Sequence, residues 1–157
     1  MNSTELKQRT KQFALRVIRL VQALPKTETS RVIGRQVLRS GTSVGANYRA
    51  VCRAKSKADF LSKMGTVEEE CDETMFWIEL LGESGEVKMA RLTPLWNEAE
   101  ELLKIVVASM QTARIRNNPK SEIRNEYHGD VGRSQCGARG VVAFGCVSGG
   151  GVANAGV

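Results

Sequence analysis

Proline is scarce, with 3 residues in a chain of 157. A proline inside a helix removes a backbone donor and clashes with the preceding turn. Its scarcity therefore permits long helices over most of the chain. Histidine is scarcer still, with a single residue, His128. The four cysteines, Cys52, Cys71, Cys136 and Cys146, include no Cys-x-x-Cys pair. Structural zinc needs Cys and His clustered at short spacing, so neither a metal site nor a cofactor is expected. Cys52 and Cys71 fall within helical apolar patterns, where a free Cys behaves as a small hydrophobe. A reducing cytoplasm is the expected compartment. Aromatic residues make up 5% of the chain. Sheets that stack RNA bases depend on exposed aromatics, and Trp77 and Trp96 read better as core or subunit-interface anchors. No stretch approaches the ~18 consecutive apolar residues of a membrane span. The opening run MNSTELKQRTKQFALRV lacks the apolar core of a signal peptide. No membrane partner is expected.

What is present is ordinary for one soluble domain: 41% hydrophobic and 25% charged residues. The apolar residues recur in steps of four and three, the rhythm of a helix buried along one stripe. A first helix is predicted over about Ser3–Leu24, with the seam Leu6, Thr10, Phe13, Val17, Leu20, Leu24 and a stop at Pro25. A second is predicted over about Thr29–Ala54, with the seam Ile33, Val37, Ser40, Val44, Asn47, Val51, Ala54. Gly34, Gly41 and Gly45 lie inside it, each costing roughly 1 kcal/mol relative to Ala. Close approach of a neighbouring helix, or a kink near Gly41, is the expected compensation.

A third helix is predicted over about Lys57–Glu83, with Ser56 and Asp59 placed like a capping box. Its seam is Phe60, Met64, Val67, Cys71, Thr74, Ile78, Leu81. A fourth is predicted over about Pro94–Ile115, with Thr93 as N-cap and the seam Leu95, Ala99, Leu102, Val106, Ser109, Ala113. Short connections force neighbouring helices antiparallel. The expected fold is all-α, an up-down-up-down four-helix bundle over 1–118. After Pro119 the character changes, because nine of the fifteen glycines fall there. The run VVAFGCV would make one short strand, which is unstable alone. A disordered Gly-rich tail is expected over 119–157, either a C-terminal extension or the product of a shifted reading frame.

The net charge of +6 is unevenly spread. Residues 1–63 hold fourteen bases and three acids, a net +11, whereas residues 64–118 hold five bases and eleven acids, a net −6. A basic face neutralises phosphates. The candidate nucleic-acid-binding residues are Arg16, Arg19, Arg31, Arg35, Arg39, Arg49, Arg53, Lys55 and Lys57. Arg31, Arg35 and Arg39 step by four, so an anion is expected against that row: phosphate, or carboxylates of the third or fourth helix. A second reading pairs the basic half of one subunit with the acidic half of the next, steering assembly into a ring. A third leaves both as solvated faces that balance each other.

Ser40, Asn47 and Thr74 occupy seam positions, and Glu70 and Glu73 flank the third seam. A buried polar group without a partner costs about 1–3 kcal/mol, so a hydrogen-bonded cluster of these five residues is expected. The reading preferred for it is a register lock rather than a pocket. No nucleophile–base pair accompanies the cluster. Glu70 and Glu73 have the spacing of a di-metal motif, but the bundle has no histidine to complete one. No enzyme is expected.

The run from Ser40 to Leu81 resembles the bacterial four-helix-bundle proteins of the 23S ribosomal RNA intervening-sequence family. The matching elements are GTSVGAN at Gly41 to Asn47, SKADF at Ser56 to Phe60, Glu70 with Glu73 and Thr74, and FWIELL at Phe76 to Leu81. The resemblance spans about residues 10–116 and does not include the tail. It implies an antiparallel bundle that assembles as a homopentameric ring. It also implies kinship with the accessory bundles of diversity-generating retroelements, which work with a reverse transcriptase and its RNA. The partners so implied are further copies of the chain, RNA or DNA, and a protein such as a reverse transcriptase.

Overall fold

The computed structural model describes residues 2–115. The Gly-rich segment 119–157 and its expected disorder lie outside the described residues. Four helices follow one another: α1 Ser3–Gln22, α2 Glu28–Val51, α3 Lys57–Glu83 and α4 Met89–Ile115. Each connection is five residues long, which leaves room only for antiparallel neighbours. α1 packs on α2, α2 on α3 and α3 on α4, while α4 closes more loosely on α1. The result is the up-down-up-down bundle, and its core is one cluster running the length of all four helices.

Local chemistry sets the starts. Asn2 Oδ1 accepts the Glu5 N–H at 2.8 Å and Glu5 Oε2 accepts the Asn2 N–H at 2.9 Å, a reciprocal capping box. Thr27 caps α2 by accepting the Ser30 N–H at 3.1 Å. Ser56 caps α3 by accepting the Asp59 N–H at 3.1 Å. The Asp59 carboxylate reaches back not to Ser56 but to the Lys55 N–H, at 2.9 Å.

α4 departs from the expectation. It begins at Met89 rather than Pro94 and carries the proline inside it. Thr93 is no cap: its hydroxyl donates to the Met89 carbonyl at 2.9 Å. The extra turn buries Leu92 completely. That burial stabilises by roughly 1.5–3 kcal/mol, comparable to the ~3 kcal/mol cost of an interior proline. The carbonyl that loses its donor belongs to Ala90, which is exposed and meets water. At its far end α4 buries Met110 of the broader apolar face, whereas Ser109 and Ala113 of the expected seam are only half-buried. A straight helix drifts about 20° per seven residues from a 3.5-residue repeat, which moves the buried stripe by one position.

α2 shifts in the same way. It buries Tyr48 where Asn47 was expected and adds Ser30, Gly34 and Gly41 to the stripe. The glycines explain the change. A Cβ at Gly41 would lie 2.7 Å from Val17 Cγ2, and a Cβ at Gly45 would lie 3.2 Å from the Thr10 carbonyl oxygen. α1 approaches α2 over surface that any side chain would obstruct.

Candidate nucleic-acid interface

At 100° per residue, Arg31, Arg35, Arg39 and Arg49 fall within about 80° of one another around α2. All four are exposed. The face is continuous in angle but long: Arg31 to Arg49 spans about 27 Å at 1.5 Å per residue. Arg53, Lys55 and Lys57 lie at the α2–α3 turn, at the Arg49 end. Arg16 and Arg19 sit on α1 at the opposite end of the bundle.

Several of these cations already have partners. Arg39 forms an ion pair with Glu73 of α3 and lies 3.8 Å from Glu70 Oε2. Arg31 pairs with Glu28 of its own first turn. Arg16 donates to the Pro94 carbonyl at 2.7 Å and lies 3.6 Å from Glu98. Lys57 Nζ donates to the Arg114 carbonyl at 3.2 Å, where it complements the C-terminal end of α4. Arg19, Arg35, Arg49, Arg53 and Lys55 form no ion pair among the described residues. The anion expected against the Arg31–Arg35–Arg39 row is therefore a protein carboxylate at Arg39 and at Arg31, and is absent at Arg35.

The five expected residues do not form one cluster: Ser40 and Thr74 pair with each other and reach Glu70 only at its backbone carbonyl, while the Glu70 and Glu73 carboxylates flank Arg39. Ser40 and Thr74 are fully buried. Thr74 Oγ1 lies 3.0 Å from Ser40 Oγ and 2.6 Å from the Glu70 carbonyl, and Ser40 Oγ lies 3.0 Å from the Gln36 carbonyl. Each hydroxyl has one proton, so the chain runs in a single direction, ending on one carbonyl or the other. Glu73 accepts from Trp77 Nε1 at 2.9 Å and from Arg39, and these two donors hold its carboxyl below the usual range. Glu70 differs. Its Oε2 is buried with no hydrogen-bond partner, and desolvation raises its pKa against the pull of Arg39. Asn47 is only half-buried and forms no hydrogen bond to Glu70 or Glu73. It joins neither group, because Tyr48 takes the seam position.

Two features escaped the sequence reading. The first is the closure of α1 on α4. Arg9 Nε donates to Glu98 at 2.7 Å and Arg9 also pairs with Glu101. The i, i+3 spacing of Glu98 and Glu101 would have flagged a basic partner. The second is a groove of about 590 Å³ bordered by α1, the α1–α2 and α3–α4 turns and the start of α4, lined by Arg16, Arg19, Lys88 and Arg91. Glu86 lines it too, but its carboxylate faces α2, accepting from Thr27 Oγ1 at 2.7 Å and from Ser30 Oγ at 2.8 Å. Those two donors lower its pKa. Lys88 and Arg91 belong to the acidic half of the sequence, which hid them.

Among the described residues, no group of three or more His, Cys, Asp or Glu side chains is placed to hold a metal ion. No helix among them is long and apolar enough to cross a membrane. Among the described residues, the free cysteines are Cys52 and Cys71. Burial pushes the Cys71 thiol up to about 12, so it is inert.

Comparison with known proteins places this geometry. No curated protein matches the chain. A crystal structure from Bacteroides thetaiotaomicron, described as a protein of unknown function from the S23 ribosomal protein family, is 32% identical. It superposes with a TM-score of 0.66, covering 71% of this chain and 99% of that one. The model of the 23S rRNA-intervening sequence protein family matches residues 2–108. With this match over more than half of its residues, the chain belongs to the 23S rRNA-intervening sequence protein family.

Proposed function

We propose that this bundle works without catalysis, in the cytoplasm, by binding structured RNA or DNA through backbone phosphates. The observation that carries the reading is the row Arg35, Arg49, Arg53 and Lys55. These cations lie along α2 and its turn with no carboxylate partner among the described residues. Like charges left unneutralised destabilise a helix face slightly, and a polyanion removes that cost. The family's name, 23S rRNA-intervening sequence protein, agrees with a nucleic-acid setting. The α2 arginines contact phosphates, so they set affinity and not sequence preference. The test replaces Arg35, Arg49 and Arg53 with Gln together and measures binding to a labelled RNA hairpin. Affinity falls for all sequences alike, and the log–log salt slope flattens by about one for each phosphate that is no longer neutralised. Unchanged affinity removes this face from the account.

A second reading is a protein-interaction scaffold in which charge asymmetry serves ring assembly and partner docking, a homopentamer or a complex with a protein such as a reverse transcriptase. One observation favours it. Phe76 on α3 is 50% exposed, between the exposed acids Glu69 and Asp72 on one side and Glu83 on the other. An exposed aromatic in an acidic field suits a basic protein surface, such as the α2 face of another copy. Light scattering on Phe76→Ser tests it: a fall in mass relative to the native chain supports assembly through α3, and an unchanged mass removes it.

A further inference from the structure

The groove between α1 and α4 has a charge that its surroundings do not predict. Residues 64–118 carry a net −6, yet Lys88 and Arg91 from that half converge on Arg16 and Arg19 from α1. Four cations bound one concave volume. Like charges gathered in this way repel, and the field of a concave site concentrates counterions. One carboxylate stands against these four cations in the lining, so the groove keeps a net positive charge. Glu86 is the one carboxylate among its lining residues, and the hydroxyls of Thr27 and Ser30 hold it. Arg16 is clamped by the Pro94 carbonyl and Glu98, so one guanidinium is held in place at the wall. Arg19, Lys88 and Arg91 have no ion pair among the described residues.

The groove does not stand alone. Leu24 and Pro25 of the α1–α2 turn line it and also line a neighbouring groove that contains Lys26, Arg31 and Arg35, with Glu28 paired to Arg31. A cationic track therefore runs from Lys88 and Arg91 across Arg16 and Arg19, around Pro25, and onto the first two turns of α2. We infer that this groove is a second phosphate-binding site, seating the sugar–phosphate backbone of a nucleic acid that continues onto the α2 face. The inference rests on the nucleic-acid reading and adds Lys88 and Arg91 to it.

The test compares four full-length proteins, each checked for retained helicity and melting temperature: the native chain, the variant with Arg35, Arg49 and Arg53 replaced by Gln, Lys88→Gln with Arg91→Gln, and Lys7→Gln with Lys11→Gln. The last pair removes the same charge from exposed α1 positions away from the groove. Binding to a labelled DNA duplex is measured over a salt series. The inference expects the Lys88/Arg91 variant to bind about tenfold or more weakly, with a salt slope flatter by about 1.8, two phosphates at ~0.9 each. The Lys7/Lys11 variant stays within about twofold of native. Equal losses in both variants would mean that binding follows net charge, and the groove is no site. A groove variant that binds like the native chain, while the Arg35/Arg49/Arg53 variant fails, overturns the groove and leaves the α2 reading standing. A native chain that does not bind overturns both.

Discussion

Val17 of α1 lies against the bare backbone of Gly41 on α2, so close that a Cβ there would sit 2.7 Å from one methyl and 2.9 Å from the other. Val17 is fully buried and β-branched, hence stiff at χ1. It cannot swing aside. Gly41→Ala gains up to ~1 kcal/mol of helix propensity and loses about 1–3 kcal/mol to overpacking, so a net destabilisation is expected by thermal or urea melting. Gly65 in α3 has nothing within 4 Å of an added Cβ. Gly65→Ala is expected to stabilise by up to about 1 kcal/mol. Two identical substitutions in helices of one bundle then have opposite signs, and the pair of melts checks this directly.

Thr74 Oγ1 of α3 lies 3.0 Å from Ser40 Oγ of α2, the contact expected of a register lock. Thr74→Val leaves Ser40 with the Gln36 carbonyl and leaves the Glu70 carbonyl with its helical donor. A loss of about 0.5–1.5 kcal/mol is expected. The double-mutant cycle with Ser40→Ala isolates the pair: the coupling energy is expected to be at least ~0.5 kcal/mol. Additive losses would show that the two hydroxyls serve their own helices and not the α2–α3 register.

How much of this was legible in the sequence depends on what each residue faced. The steps of four and three placed Phe13, Val37, Val44, Met64, Cys71, Ile78 and Val106, all of which are buried. Periodicity registers them because one helix is enough to define its own apolar stripe. The errors arose where a neighbouring helix decides. Asn47 gave up its seam place to Tyr48 because glycines on α2 drew α1 across, which no reading of α2 alone detects. Leu92 lay before the start signal at Thr93 and Pro94, and its burial against the bundle carried the helix one turn further back. For Arg39 the sequence left the anion open between phosphate and a carboxylate of the third or fourth helix, and the structure brings Glu73 of α3 beside it. The groove cations Lys88 and Arg91 lie in an acidic stretch of chain, and only the meeting of α1 with α4 brings them to Arg16 and Arg19.

The thin α1–α4 seam is held in part by charge. Glu98 meets both Arg9 and Arg16, with side chains roughly a fifth to two-fifths exposed. Exposed pairs contribute about 0–1 kcal/mol each and weaken with salt. Glu98→Gln is expected to destabilise by about 1 kcal/mol at low ionic strength and by less at 1 M salt. A loss that is independent of salt would assign the role of Glu98 to packing.

Glu70 and Glu73 flank one arginine and titrate in opposite directions from the ordinary 4.5. The Glu73 pKa is depressed in the fold. Its contribution is present above about 4.5 and is lost as the pH falls through the lower folded value. The Glu70 pKa is raised. Its ionised form opposes folding at neutral pH, and that penalty disappears as the pH falls through the raised value toward 4.5. Glu73→Gln is expected to lower the melting temperature at neutral pH. Glu70→Gln is expected to raise it, with the difference from native closing by about pH 4.5. A pH series of melts checks both signs.

The basic half of this bundle is proposed to engage nucleic-acid phosphates. The most direct measurement is the salt dependence of native full-length protein binding to a labelled DNA duplex and to an RNA hairpin of matched sequence. The account predicts binding at low salt to both, with log affinity falling linearly in log salt at a slope of about −4 or steeper on the duplex, four or more phosphates at ~0.9 each. A folded protein that binds neither at low salt, or binds with a flat salt response, contradicts it and assigns the charge asymmetry to protein contacts.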